Sequence, residues 1–253
     1  METVSVILRI ALVLLGLAAA SNAGAQSLTV LSSNATKALV EELGPQFEKA
    51  TGQTLAIHFD NSAALKTRIE QGERFDVAVL SASTVAALVA AGRMASPTDI
   101  ARAGVGMAIH PQATRPNINT LDALKGALIT TRSITYVEHG ATATVLHQIF
   151  ARLGLTELMN AKTVYSDSAA HAVAEKKAEL GFTQISEILN VPGATFAAAL
   201  PSEVQVYTTF QGAASVTAPP AAARFIAFLA SPQAAAAIRR SGMELMPRSL
   251  RFR

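Results

Sequence analysis

The chain has 253 residues, 50% of them apolar, with 21 Lys and Arg against 18 Asp and Glu and no cysteine. Charged residues make up only 15%, against a usual share of about 25%, which excludes intrinsic disorder, and the length suffices for one large domain or two lobes of roughly 100 to 150 residues. A formal charge of +3 is too weak a field to track nucleic acid phosphates, and the absence of cysteine removes disulfides, iron–sulfur clusters, thiolate catalysis and a lipid-modified cysteine.

Residues 1–25 carry one cation, Arg9, an apolar run over 10–20 broken only by Gly16, and then Ala23-Gly24-Ala25. A positive start, a core of about 7 to 15 apolar residues and small residues at the end define a secretory signal peptide, cleaved before Gln26. The run falls well short of the roughly 20 residues that span a bilayer. The mature chain is therefore expected in the periplasm, free rather than lipid-anchored.

A β-rich run at 27–32 leads into Val40, Leu43, Phe47 and Ala50, spaced by three, four and three, which predicts a strand feeding an amphipathic helix. Asn34 caps this helix, Gly44-Pro45 bends it and Gly52 ends it. A strand at 55–59, a cap at Asn61-Ser62 and a helix carrying Leu65 and Ile69 to Gly72 follow. A strand at 75–80 then precedes a helix from Ser81 or Ser83 to Gly92. Strand and helix alternating at this pace predict an α/β fold, each lobe a mainly parallel sheet flanked by helices.

The rhythm breaks after Gly92, where Pro97, Pro111 and Pro116 bracket one β-type run at 105–110. A second series opens with a strand at 133–137 and a helix over 141–153, with Val145, Ile149 and Leu153 inward and Gly154 as its stop. A strand near 163–165, a helix over 168–177, a strand at 179–183 and a short helix from Ser186 continue it, and 204–210 is the last β run. Helices over 220–230 and 232–241 have no strand left to follow, so they are expected to pack back on the first unit. The domain reading is a leader at 1–25, a first lobe at 26–106 with a return segment at 211–253, and a second lobe at 107–210, joined by a two-stranded hinge.

In open α/β sheets ligands bind beyond the carboxyl ends of the strands, where helices begin. Small polar residues stand at those places: Ser32-Ser33-Asn34, Asn61-Ser62-Ala63, Gly140-Ala141-Thr142 and Asp167-Ser168. Each exposes unpaired backbone N–H groups beside short side chains, a setting that holds a carboxylate or oxyanion. Any one of them is explained equally well as an ordinary helix cap; four converging on one cleft would hold an anion without a cation. A helix terminus contributes about 0.3 to 1 kcal/mol to a nearby charge. Four termini with several hydrogen bonds of about 1 kcal/mol each reach the roughly 8 kcal/mol of a micromolar ligand.

The histidines His58, His110, His139, His147 and His171 form no metal-ligand spacing, and no nucleophile elbow, phosphate loop or dinucleotide fingerprint is present. No metal, no cofactor and no enzymatic activity are expected. The remaining enzymatic alternative is a serine-dependent hydrolase using Ser32, Ser33 or Ser62 with His58 or His139. Lys37, Lys66 and Arg68 read as solvated helix faces.

The segments VLSSNATKALVEELGPQFEKATG, DNSAALKTRIEQGERFDVAVLSAS, KKAELGFTQISEIL and SPQAAAAIRRSG, in that order, resemble type II periplasmic solute-binding proteins of ABC transporters, in their molybdate-binding-like branch. The resemblance implies two lobes that close by a hinge on an oxyanion held by neutral hydroxyls and backbone amides. Carried onto matching positions, it implicates Ser33, Asn34, Asn61 and Ser62 in one lobe, and Ala141, Ser168 and Gln184 in the other. Molybdate binders are similar at the last site but carry a tyrosine in a pattern like GIVYxSDA, where this chain has GFTQISEI. Their first loop is AAASL, and here it is the tighter SSNAT. The implied ligand is thus a small anion, either an oxyanion such as molybdate or a small organic acid. The implied partner is an ABC permease in the inner membrane, with the protein itself a monomer; the alternative partner is a membrane receptor that reads the closed form.

Overall fold

The computed structural model describes residues 27–247, so the leader expected at 1–25 lies outside the described residues. The chain runs β1 (Leu28–Ser33), α1 (Lys37–Thr51), β2 (Leu55–Asp60), α2 (Ser62–Glu70), β3 (Val77–Ser81), α3 (Ala82–Ala90) and a long β4 (Thr98–Ile109). It continues through α4 (Leu121–Thr130), β5 (Ile134–Thr135), α5 (Ala141–Leu153), α6 (Thr156–Lys162), α7 (Ala169–Ala174), β6 (Leu180–Gln184), α8 (Ile185–Leu189), β7 (Thr195–Ala199) and β8 (Tyr207–Ala214). It closes with α9 (Pro220–Leu229) and α10 (Ala235–Arg240), and a 3-10 turn, Asn34–Thr36, joins β1 to α1.

The strands lie in the order β2-β1-β3-β8-β4-β6-β5, with β7 also paired to β4. The expected α/β class is present, but the sheet is mixed. Parallel pairing holds within β2-β1-β3 and between β5 and β6, where helical crossovers return the chain in the same direction. Strands β8 and β4 carry the chain across the molecule and run antiparallel to β3 and to β6 and β7 respectively.

Side-chain alternation along β4 ties two cores together. Residues up to Gly104 pair with β8, and from Val105 onward the strand pairs with β6 and β7. Ala101 and Ala103 belong to a core with Leu28, Val30, Phe47 and Phe225. Two residues further on, Val105, Met107 and Ile109 belong to another, with Tyr136, Ile149, Phe150 and Phe182. A period of two places all five on one face, so a single strand face supplies both cores. The opposite face of β1 and β3 buries Leu31, Ala78 and Leu80 under Leu65 and Ile69 of α2 and Val85 and Leu88 of α3. Each of the larger of these side chains, the leucines, valine and isoleucine, contributes about 1.5 to 3 kcal/mol when fully buried. The closing helices α9 and α10 lie against α1, with the Phe225 and Phe228 rings packed at a tilt against Phe47.

Helix α5 occupies residues 141–153 and ends at Gly154 in the left-handed region (φ 68°), as its spacing predicts. Other elements differ. The β run expected at 105–110 is the end of a strand that starts at Thr98, the last strand is displaced to Tyr207–Ala214, and the strand expected near 163–165 is a lone bridge from Thr163 to Ile134. Helices α4 and α6 and strand β7 were not expected.

Candidate functional site

Three strand ends and one loop deliver helix starts to the same place. Ser33 ends β1 and caps the 3-10 turn, its Oγ accepting from the Ala35 N–H at 3.4 Å. Asn61 caps α2, its Oδ1 accepting from the Ala64 N–H at 2.8 Å. Ser62 Oγ accepts from the Ser81 N–H at 3.1 Å, which fastens the start of α2 to the end of β3 and leaves the hydroxyl proton free to donate. Gly140 starts α5 and has no side chain to cap it, so the first amides of a 13-residue helix face outward without a side-chain acceptor.

These residues line a cleft of about 290 Å³, near the lower end of small-molecule cavities. Ser33, Asn61, Ser62 and Ala63 enter from one side, and Gly140, Ala141, Thr142 and Gln184 from the other. No lysine or arginine is among the described residues lining it. Two wider grooves of about 830 and 860 Å³ lie elsewhere on the surface, away from these helix starts.

Three expected residues fall outside the cleft. Ser32 is fully buried and hydrogen-bonded to Thr36 at 2.8 Å, because alternation along β1 turns it inward. Asn34 is half-buried in the 3-10 turn and does not line the cleft. Ser168 caps the short helix α7 at the surface, its hydroxyl 2.9 Å from His171 Nδ1. Its neighbours Ser166 and Asp167 line a shallower hollow that shares Asn61, Ala63 and His139 with the cleft.

The cations stay out of the cleft as well. Lys37 pairs with Glu41, Lys66 with Glu70 and Arg68 with Glu73. The serines proposed as nucleophiles bond to Thr36, Ala35 and Ser81 rather than to histidine. His58 is exposed on β2, and the His139 side chain is 86% exposed beside Glu138. The serine-hydrolase arrangement is absent among the described residues.

Sequence reasoning missed Ser81, Thr183, Glu187 and Thr208, all of which line the cleft. Gln184, only 5% exposed, donates from Nε2 to Thr208 Oγ1 at 3.2 Å, while its Oε1 has no partner. A buried polar atom left unpaired costs about 1 to 3 kcal/mol, which a ligand group reaching it recovers. The Thr208 hydroxyl can donate or accept, so turning the amide by 180° presents its NH₂ to the cleft instead. Glu187 follows Gln184 by three residues, on the same face of α8. Thr183 Oγ1 donates to Glu187 Oε2, and burial pushes the Glu187 carboxyl above the usual carboxylate range. The residue keeps some exposure at the cleft wall. The signal that could have found it is an acid at the third position of a helix that starts at a cleft residue.

A mixed α/β sheet that passes between two cores, with helix starts gathered over one small cleft, defines a type II solute-binding fold. A family model of bacterial extracellular solute-binding proteins matches residues 28–244, and the chain belongs to that family. An aconitate isomerase from a Pseudomonas species is 33% identical over 232 residues, covering 87% of this chain and 88% of that protein. The periplasmic molybdate-binding protein of Azotobacter vinelandii superposes with a TM-score of 0.73 at 20% identity, covering 87% of this chain and 100% of that one. The sulfate-binding protein of Mycobacterium tuberculosis superposes with a TM-score of 0.71 at 16% identity, covering 87% and 88%. These structures share the fold, and the molybdate-binding-like resemblance read from the sequence holds.

Proposed function

We propose that the protein captures a small anion, foremost an organic polycarboxylate, between two lobes in the periplasm and hands it to an ABC-type permease. One observation carries this reading: uncapped amides of α5, the Ser62 hydroxyl and the orphaned Gln184 amide line one 290 Å³ cleft with no lysine or arginine. The lobes are 26–106 with 211–253, and 107–210. They are joined where β4 changes partners and where the chain returns into β8. A ligand touching Asn61 and Ser62 on one side and Gly140, Ala141, Thr142 and Gln184 on the other binds best when the lobes are shut, so its affinity drives closure. The protein works as a monomer without a resident cofactor and without nucleic acid.

A polycarboxylate is favoured over molybdate for two reasons. The 33% identical relative is named for aconitate, and the tyrosine expected in a molybdate site is Gln184 here. A thermal-shift series with aconitate, citrate, molybdate, tungstate, sulfate and phosphate tests this. A ligand at 100 times its Kd adds about 2.7 kcal/mol. Stabilisation by the carboxylates is expected; stabilisation by the metal oxyanions alone would overturn the substrate class. A second reading, in which the captured acid is also converted, is favoured by the isomerase relative and by the carboxyl of Glu187 in the cleft.

A further inference from the structure

We propose that the cleft is an acid–base site in which Glu187 takes a proton from the carbon next to the double bond of a bound unsaturated polycarboxylate and returns it at the far end, so that the acid leaves as its allylic isomer. This rests on the carboxylate-capture reading and adds a chemical step and a named residue to it.

The geometry argues for a working group rather than a structural one. Glu187 shares the cleft with Gln184 and the start of α5, and its protein partner is the Thr183 hydroxyl rather than a cation. An ionised carboxyl repels an anionic guest, and burial favours the protonated form here, so the group can give a proton to the bound acid as well as take one. The group has no packing partner of opposite charge to explain it. Helix α8 packs on the 3-10 turn, on β6 and on β7, none of which carries a charged residue. It also packs on β4, whose Asp99 and Arg102 are bonded to Gln211 and Glu244, and on Gly242 of the closing segment, where Glu244 is held by that same Arg102. The other titratable side chain lining the cleft is His139, which is mostly exposed.

The step balances without a co-reactant. The C–H bond breaks toward a Glu187 oxygen, and the electron pair left behind spreads through the double bond into the adjacent carboxylate. Glu187 then gives the proton to the far alkene carbon, the double bond moves by one position, and the carboxylate is regenerated. The amides at the start of α5, together with Gln184, face the ligand carboxylate on which charge develops. Burial makes Glu187 a stronger base than an exposed carboxylate once it is ionised.

The test uses cis- and trans-aconitate with the mature protein in D₂O, followed by NMR, beside calorimetric binding of the same acids. The two isomers are expected to interconvert, and deuterium to enter the ligand methylene to the extent that the proton held by Glu187 exchanges with solvent before it is returned. Glu187→Gln is expected to bind both acids within about threefold of the parent and to slow exchange by about 100-fold or more. His58→Ala, outside the cleft, is expected to retain exchange. Thr183→Val removes a hydrogen bond that holds the Glu187 carboxyl down, so the midpoint of the exchange-rate profile moves to higher pH. Binding without interconversion of the isomers in the parent protein overturns this inference and leaves capture standing. Exchange that survives Glu187→Gln overturns the assignment to Glu187. No binding of either acid overturns both readings.

Discussion

At Gln184 the fold accepts a cost that the proposed ligand would remove. Its Oε1 is buried and unpartnered, so Gln184→Leu, which fills a similar volume without polar atoms, is expected to leave stability unchanged or raise it, while anion affinity falls at least tenfold. Urea unfolding beside calorimetry separates the two; lost stability with unchanged affinity would remove Gln184 from the site. Ser62→Ala deletes a cleft hydroxyl whose proton is free to donate and, on the proposed reading, is expected to weaken binding by about 1 to 3 kcal/mol, measured by the same titration. Glu187 carries the opposite sign of linkage to a salt-bridged acid. Its folded pKa is raised, so the native state keeps the proton to higher pH than the unfolded chain; stability is full below the unfolded pKa and declines as pH rises through the folded one. Glu187→Gln is therefore expected to raise the urea midpoint at pH 8 and to leave it nearly unchanged at pH 4. The helix starts at Ser33, Asn61-Ser62 and Gly140 were legible because the small polar signature of a helix start is local, although Ser33 rather than the expected Asn34 is the cap and α1 itself follows Thr36 with no side-chain cap. Glu187 and Thr208 were not, because which face of α8 or β8 meets the cleft is decided by tertiary packing.

Helix starts reach a common cleft only because the elements behind them are held close, and glycine makes the closest of these approaches. A Cβ on Gly106 of β4 would lie 2.9 Å from Ile185 of α8 and 2.9 Å from Phe196 of β7. Gly106→Ala must push α8, and with it Glu187, away from the sheet. A loss of about 1 to 3 kcal/mol in urea unfolding is expected, with weaker anion binding as the helix shifts. Unchanged stability would show that α8 gives way freely. The same strand shows where sequence reading stops. Residues 98–104 carry Asp99, Arg102 and Gly104, so they do not look like a central strand, yet β8 pairs with them along their length. Asp99 and Arg102 are accommodated by Gln211 and Glu244, partners more than 100 residues away that no local pattern reveals. By contrast, α5 was legible end to end, since its inward residues repeat at helical spacing and Gly154 supplies the left-handed stop.

For the whole molecule, the proposed capture requires the two core-bearing halves to move together around the points where the chain passes between them. One of these carries an unusual clamp: the Gln205 side chain accepts from the Val105 N–H and donates to the Val105 C=O, each at 2.9 Å, imitating a strand neighbour where β8 no longer reaches β4. Arg102 lies over the Tyr207 ring, 4.1 Å from its centroid, and bonds Glu244, which stiffens the same crossing. Val105 is buried, so Gln205→Ala leaves its N–H without that partner, at an expected cost of about 1 to 3 kcal/mol in urea unfolding. The Val105 carbonyl keeps a bond from the Leu200 N–H, so the strand itself should survive. A looser crossing admits more open conformations, and a ligand that needs the shut form then binds more weakly in proportion to the competent fraction. Scattering should therefore show a larger radius of gyration in the unliganded variant than in the parent, converging when ligand is added, with affinity reduced several-fold although every cleft residue is intact. A stability loss with unchanged affinity and unchanged radius would mean that the crossing holds the halves together but does not govern their closure.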